Sequence, residues 1–316
     1  MPSLKSRFLI SLIRNRHLFR FKLKRDTWDF NTDYKAWREE CLKSSRKSGA
    51  LPTGIVVKPV AIDGLPVELK AEWIMPSQNY LDKPGQPVIL YTHGGAYVSG
   101  NCEDHRNWVA KIVAETGIAA LLYDYRLAPE HPFPAAHDDS MTVYRWLLAQ
   151  KGMDPRKLAI VGESAGGGLC LALVLAIRDS GLPLPVCAVV MSPYTDLLLI
   201  GESHITKREA CLSPYDMAKV CSKYYYADND PKNPYISPLY GDLHGLPPLH
   251  ISVGDDETMR DDSIRFAKKA RNSGVDVILR VEDGMVHCFP LMAPLFPEAT
   301  RVMAEICQFL KKHTEA

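Results

Sequence analysis

From about residue 55 onward the chain alternates short apolar, β-branched runs with longer stretches whose apolar residues recur every three or four positions. The short runs fall at 56–62, 67–74, 88–92, 119–123, 158–161, 186–191, 249–253 and 277–281. Helical periodicity fills the gaps at about 104–116, 135–150, 165–179, 261–273 and 297–312. Such alternation predicts an α/β architecture, a mostly parallel sheet covered by helices on both faces. The first two runs are joined by Asp63-Gly64, a hairpin signal, so the sheet is expected to begin with an antiparallel pair.

Two segments break the alternation: residues 1–50 and residues 196–235, where 211–226 reads as helical and Pro231 and Pro234 punctuate. They are expected to pack as two parts of a cap over the carboxyl ends of the strands, with 51–195 and 236–316 forming the core. A cap there encloses a site and excludes water. Residues 1–25 mix Phe8-Leu9-Ile10-Ser11-Leu12-Ile13 with many Lys and Arg and carry no acid before Asp26. That apolar stretch is too short to span a membrane, and basic residues stand where a signal peptide needs a small-residue cleavage site. The segment reads either as a basic amphipathic helix on a membrane surface or as a cover for the domain's own site, and the cover is preferred.

The stretch richest in chemistry is Val161-Gly162-Glu163-Ser164-Ala165-Gly166-Gly167. An apolar strand runs through Gly-x-Ser-x-Gly into a helix-forming run, the arrangement of a nucleophile elbow. The turn strains the central residue, and the glycines leave room for close approach, so Ser164 Oγ should project at the carboxyl end of the sheet as a nucleophile. About seventy residues upstream, the run 87–92 ends in His93-Gly94-Gly95-Ala96-Tyr97. Glycines suit a loop whose backbone N–H groups approach a developing oxyanion, so Gly94, Gly95 and Ala96, with Ala165, are the expected donors.

Composition narrows the classes. With 316 residues, 46% hydrophobic, the chain can bury a full core, and one catalytic domain with an elaboration is expected. A formal net charge of +1 supplies no global field for nucleic acid or another polyanion. The eight cysteines show neither a CxxC pair nor zinc-ligand spacing, and several lie in apolar runs, which points to a reduced, cytoplasmic protein. No metal site is expected.

At these residues the chain resembles the hormone-sensitive lipase family of α/β-hydrolases, the bacterial family IV carboxylesterases. The likeness runs from about residue 60 to the C-terminus through HGGAYVSG, DYRLAPEHPFPAAHDD, GESAGGGL, SPYTDL, NPYISPLYGDLHGLPPLHISVGDDE and GMVHCF, in that order. It implies an α/β-hydrolase core with a helical cap, a Ser-His-acid triad, no cofactor, and small-molecule acyl esters of short to medium chain as substrates. Chain order in this fold runs nucleophile, acid, histidine. His287, in Gly284-Met285-Val286-His287-Cys288-Phe289, follows the last strand and is the expected general base. His93 is expected to brace the oxyanion loop. His105, His131, His137, His204, His244, His250 and His313 are read as ordinary surface or core residues.

For the acid, Asp255-Asp256-Glu257 offers three carboxylates after the strand ending at Val253. Family members usually carry Asp-Pro-x-x-Asp here, and the proline is missing. An ungapped register with the histidine motif places Glu257, thirty residues before His287, at the family's acid position, with Asp256 as the alternative and Asp255 as a loop or capping residue. Glu163 stands where the family commonly has Asp and receives no role. Asp124, Arg126, Glu130, Asp138 and Asp139 are expected in ion pairs or helix caps. A lactone hydrolase or acyltransferase would use the same triad. A non-catalytic ligand-binding protein on this scaffold typically lacks a triad member, and none is lacking here. The last strand and the helix after it could form the edge of a homodimer.

Overall fold

The computed structural model describes residues 2–15, 27–46, 50–213 and 215–315. The sequence expectations for residues 16–25 therefore lie outside the described residues. Eight strands form one sheet: β1 (Val56–Val60), β2 (Ala71–Met75), β3 (Val88–Thr92), β4 (Ala119–Tyr123), β5 (Leu158–Glu163), β6 (Cys187–Met191), β7 (Leu249–Gly254) and β8 (Val277–Glu282). Their order is β1-β2-β4-β3-β5-β6-β7-β8, and every neighbouring pair is parallel except the two that involve β2.

The antiparallel start is present, but not as the tight hairpin expected. Val60 pairs with Ala71, so ten residues intervene, and β2 begins at Ala71 rather than at Val67. Residues 61–70 make two successive turns, with Leu65 N–H donating to Ile62 O and Leu69 N–H to Pro66 O. Pro66 has no N–H for a ladder, and Val67 is fully exposed.

The helices are α1 (Leu4–Arg14), α2 (Tyr34–Ser45), α3 (Cys102–Thr116), α4 (Ala135–Leu148), α5 (Ala165–Asp179), α6 (Ser203–Thr206), α7 (Tyr215–Tyr226), α8 (Arg260–Asn272) and α9 (Pro297–Thr314). Alternate strand residues face opposite layers. Val88 and Leu90 of β3 join a core with Tyr144 of α4, Leu169 and Leu173 of α5 and Phe266 of α8. Ile89 and Tyr91 join the opposite core with Val109 and Val113 of α3 and Val302 and Ile306 of α9. A strand buried on both faces must be apolar throughout, which is why β3 and β5 show no polar alternation.

Of the segments outside the sheet pattern, α2 is tied down by Arg38, whose guanidinium donates to Val98 O and Ala128 O and pairs with Glu130 at 2.8 Å. The helix expected at 211–226 is realised from Tyr215 on, and its Tyr225 stacks on Tyr97 at a centroid distance of 3.7 Å. Helix α1 lies against the start of α9, where Ser3 N–H and Ser6 Oγ both donate to Glu298. As expected of the 124–139 block, Arg126 pairs with Asp139, and Asp124 accepts the Cys102 N–H at the start of α3. Asp138 is exposed, 3.7 Å from His137 Nδ1.

Candidate active site

Ser164 sits between β5 and α5 with φ 54° and ψ −122°, a conformation that L residues adopt only under strain. Its surroundings hold it there: its N–H donates to Met191 O at 2.9 Å, and its own carbonyl accepts from Tyr194 N–H and Gly168 N–H. The chain after it passes hard against the end of β3. A Cβ on Gly166 would lie 2.1 Å from Thr92 O and 2.3 Å from His93 O, so no other residue fits without moving one of the two segments. Thr92 Oγ1 completes the junction by donating to Gly166 O at 2.8 Å.

Three sequence-expected residues come together here. His287 Nε2 lies 2.9 Å from Ser164 Oγ, and His287 Nδ1 lies 2.7 Å from Glu257 Oε2. Glu257 is fully buried, whereas Ser164 is only half-buried, so the line runs from the interior toward solvent. The neighbouring carboxylates point elsewhere. Asp256 pairs with Arg14 at 2.8 Å and Lys207 at 3.2 Å, and Asp255 with Lys207 and Arg260.

Burial opposes a charge on His287, but the Glu257 carboxylate bonded to Nδ1 outweighs it and holds the histidine above its ordinary range. Burial also raises Cys288, which is therefore a neutral thiol near pH 7. The charge that favours the imidazolium is that of Glu257.

The other carboxylate oxygen of Glu257 is equally committed. Oε1 accepts from Gly254 N–H at 2.5 Å and from Ser192 Oγ at 2.8 Å. Ser192 Oγ in turn accepts the N–H of Cys288, the residue after the histidine, at 2.9 Å. Ser192 opens the SPYTDL run, and nothing in that run marks it as a partner of the acid. Its φ of 49° is the structural mark of a special position, and nothing in a single sequence announces a positive φ at a serine.

The loop 93–97 lies beside the elbow, with φ 116° at Gly95, 55° at Ala96 and 62° at Tyr97. Among the described residues, the N–H groups of Gly95 and Ala96 meet no acceptor. Ala165 opens α5, so its N–H is one of the first-turn donors without a partner inside the helix. Gly94 departs from expectation: its N–H donates to Glu163 Oε1 at 2.5 Å and is not free for another oxygen. The same Glu163 oxygen lies 3.0 Å from His105 Nε2, with both side chains buried. Burial pulls His105 down, yet the Glu163 carboxylate and the Asn101 carbonyl more than compensate, so His105 is raised above its ordinary value.

Glu163 and His105 thus form a buried pair under the loop, a role missed because 58 residues separate them. His93 braces the loop itself, donating from Nδ1 to Gly94 O at 2.8 Å and stacking on Tyr125 at 4.1 Å. Burial lowers its pKa well below the usual range, which suits a neutral strut.

A family model described as alpha/beta hydrolase fold matches residues 89–291. An acetyl-hydrolase of Streptomyces hygroscopicus is 39% identical over 246 residues, covering 77% of this chain and 80% of that protein. The crystal structure of EstE5 soaked with p-nitrophenyl butyrate superposes with a TM-score of 0.86 at 36% identity, covering 99% of this chain and 100% of that one. That of an esterase from the bacterial hormone-sensitive lipase family superposes at 0.85, also 36% identical, over 99% of each chain. The chain belongs to the α/β-hydrolase family, within its hormone-sensitive lipase branch of bacterial esterases.

Proposed function

We propose that this esterase is a serine carboxylesterase acting on short- to medium-chain acyl esters through Ser164, His287 and Glu257. The observation that carries the reading is the unbroken line from Ser164 Oγ through both nitrogens of His287 to Glu257 Oε2, at 2.9 and 2.7 Å. His287 Nε2 takes the Ser164 proton as Oγ attacks the ester carbonyl, and the imidazolium is stabilised by Glu257. The oxyanion of the tetrahedral intermediate accepts from Gly95, Ala96 and Ala165 N–H, each good donor being worth about 3 kcal/mol. The imidazolium then protonates the departing alcohol, and water, activated by the same histidine, hydrolyses the acyl-enzyme.

Gly94 acts in this scheme by holding the loop to Glu163 rather than by touching the oxyanion. The acetyl-hydrolase relative and the butyrate ester soaked into EstE5 support a short acyl group. The test is direct. Ser164→Ala should fold normally and lose roughly 10⁴-fold or more of its rate. The parent enzyme should take one equivalent of an organophosphate, and mass spectrometry locating the adduct on a residue other than Ser164 overturns the assignment. Rates across a p-nitrophenyl acyl series, with a lactone panel alongside, define the substrate.

A further inference from the structure

Helix α1 presents two apolar faces, and only one of them is used by the fold. Ile10 is buried in the core beneath α3 and α9, with Leu9 and Ile13 packed at its edge, and Ser6 is held by Glu298. Arg14, at the end of the same face, donates to Ala210 O and pairs with Asp256. These contacts fix the helix and its rotation about its own axis.

The opposite face carries Leu4, Phe8 and Leu12, exposed by 82%, 65% and 38%. Positions i, i+4 and i+8 stand in one row along a helix, so the three side chains form a continuous outward ridge. Lys5 and Arg7 are exposed on either side of that ridge and meet no carboxylate among the described residues. In sequence, residues 1–25 hold eight Lys and Arg and no Asp or Glu, although the whole chain is nearly neutral. Apolar side chains flanked by basic ones on a fixed helix match the layering of an anionic bilayer surface, where the ridge enters the acyl boundary and the cations meet the headgroups. The positive charge argues against a second copy of this chain as the occupant, because the two ridges would bring like charges together.

We propose that α1 is a docking surface for membranes bearing anionic lipid, and that the enzyme lies on such membranes through Leu4, Phe8 and Leu12 with Lys5 and Arg7. The helix that carries the ridge is tied near the site by its other face, where Arg14 pairs with Asp256, the residue before Glu257.

The experiment is co-sedimentation of the full chain with phosphatidylcholine vesicles, with and without phosphatidylserine. Binding is expected only when phosphatidylserine is present, and it should weaken as salt is raised. L4S/F8S/L12S should lower the partition coefficient by about tenfold or more, and K5Q/R7Q by roughly tenfold. Both variants should keep the parent rate on soluble p-nitrophenyl butyrate, which also certifies their folding. Failure of the parent to bind phosphatidylserine vesicles overturns the proposal. So does a triple variant that still binds like the parent, and so does one whose only change is a shift in oligomeric state by ultracentrifugation, which would make the ridge a protein interface. None of these outcomes bears on the Ser164 assignment.

Discussion

Replacing Glu257 by Gln probes the acid through the tautomer of His287. Glu257 Oε1 receives two donors, Gly254 N–H and Ser192 O–H, while Oε2 receives His287 Nδ1–H. A glutamine has one oxygen, and the two donors on the Oε1 side claim it. Its amide nitrogen then faces Nδ1 and can only donate. The imidazole is forced to carry its proton on Nε2, opposite Ser164 Oγ, where it cannot act as a base, and the imidazolium loses its counter-charge. The same change in a serine protease lowers kcat about 10⁴-fold, which is about 5.4 kcal/mol of transition-state stabilisation.

The pH profile gives an independent readout. A base works when neutral, so activity rises as pH climbs through the raised pKa of His287. With the carboxylate gone that pKa falls, and the acid limb of the residual activity should move to lower pH. Asp256→Asn disturbs only partly exposed pairs with Arg14 and Lys207, each contributing about 0.2–1 kcal/mol, and should leave the rate within a few-fold. Steady-state kinetics on p-nitrophenyl butyrate, with circular dichroism to verify folding, decide the matter. If Asp256→Asn abolishes activity while Glu257→Gln keeps most of it, the reasoning is refuted and the acid is Asp256.

Ser192→Ala removes one of two donors to Glu257 Oε1 and the acceptor for Cys288 N–H, and should lower kcat by roughly 10- to 100-fold with little change in KM. Glu163→Gln should loosen the 93–97 loop, seen as a fall in kcat, and should also abolish a pH effect on stability. His105 has a raised folded pKa, so its contribution is fully present below the unfolded histidine value near about 6.5 and fades as pH rises through the folded value; urea unfolding at acid and alkaline pH would show the parent losing this increment and the variant lacking it. Gly166→Ala drives a methyl group into Thr92 O and His93 O, and should cost several kcal/mol of stability or leave an inactive fold, measured by thermal unfolding beside activity.

The sheet is legible because its inner strands β2 to β7 are buried on both faces and its helices show an apolar stripe, patterns that survive in a single sequence. The elbow was legible because strand, Gly-x-Ser-x-Gly and helix are contiguous. Glu257 was reached through family register, not through any property of its own run of three acids. The start of β2 lies later than its sequence suggests because Val67 is apolar, and apolar content alone does not reveal that the chain is still turning after Pro66. The roles of Ser192, Glu163 and His105 are illegible in the sequence for one reason: each acts through a partner 58 to 69 residues away, and only the folded sheet brings them together. A glycine-rich loop marks Gly94 as a candidate oxyanion donor, but composition does not say which N–H of a loop is already engaged, here by Glu163.

The end of β6 joins the parts of the site. Met191 O takes the Ser164 N–H, which fixes the strained turn, and the next residue, Ser192, reaches both Glu257 Oε1 and the N–H beside His287. Ser192 N–H is itself anchored to Ser252 O of β7. At the end of β7 the chain packs directly on the histidine loop, since a Cβ on Gly254 would lie 2.2 Å from Met285 O. Serine, acid and histidine are thus referenced to two adjacent parallel strands, and none of these bonds comes from α1, α2 or α7. A sheet buried on both faces holds its register firmly, because slippage would carry polar and apolar positions alike out of their layers. Changes in the outer helices should therefore alter which esters arrive and how long they stay, while changes at 191–192 or 254 should alter the chemistry itself.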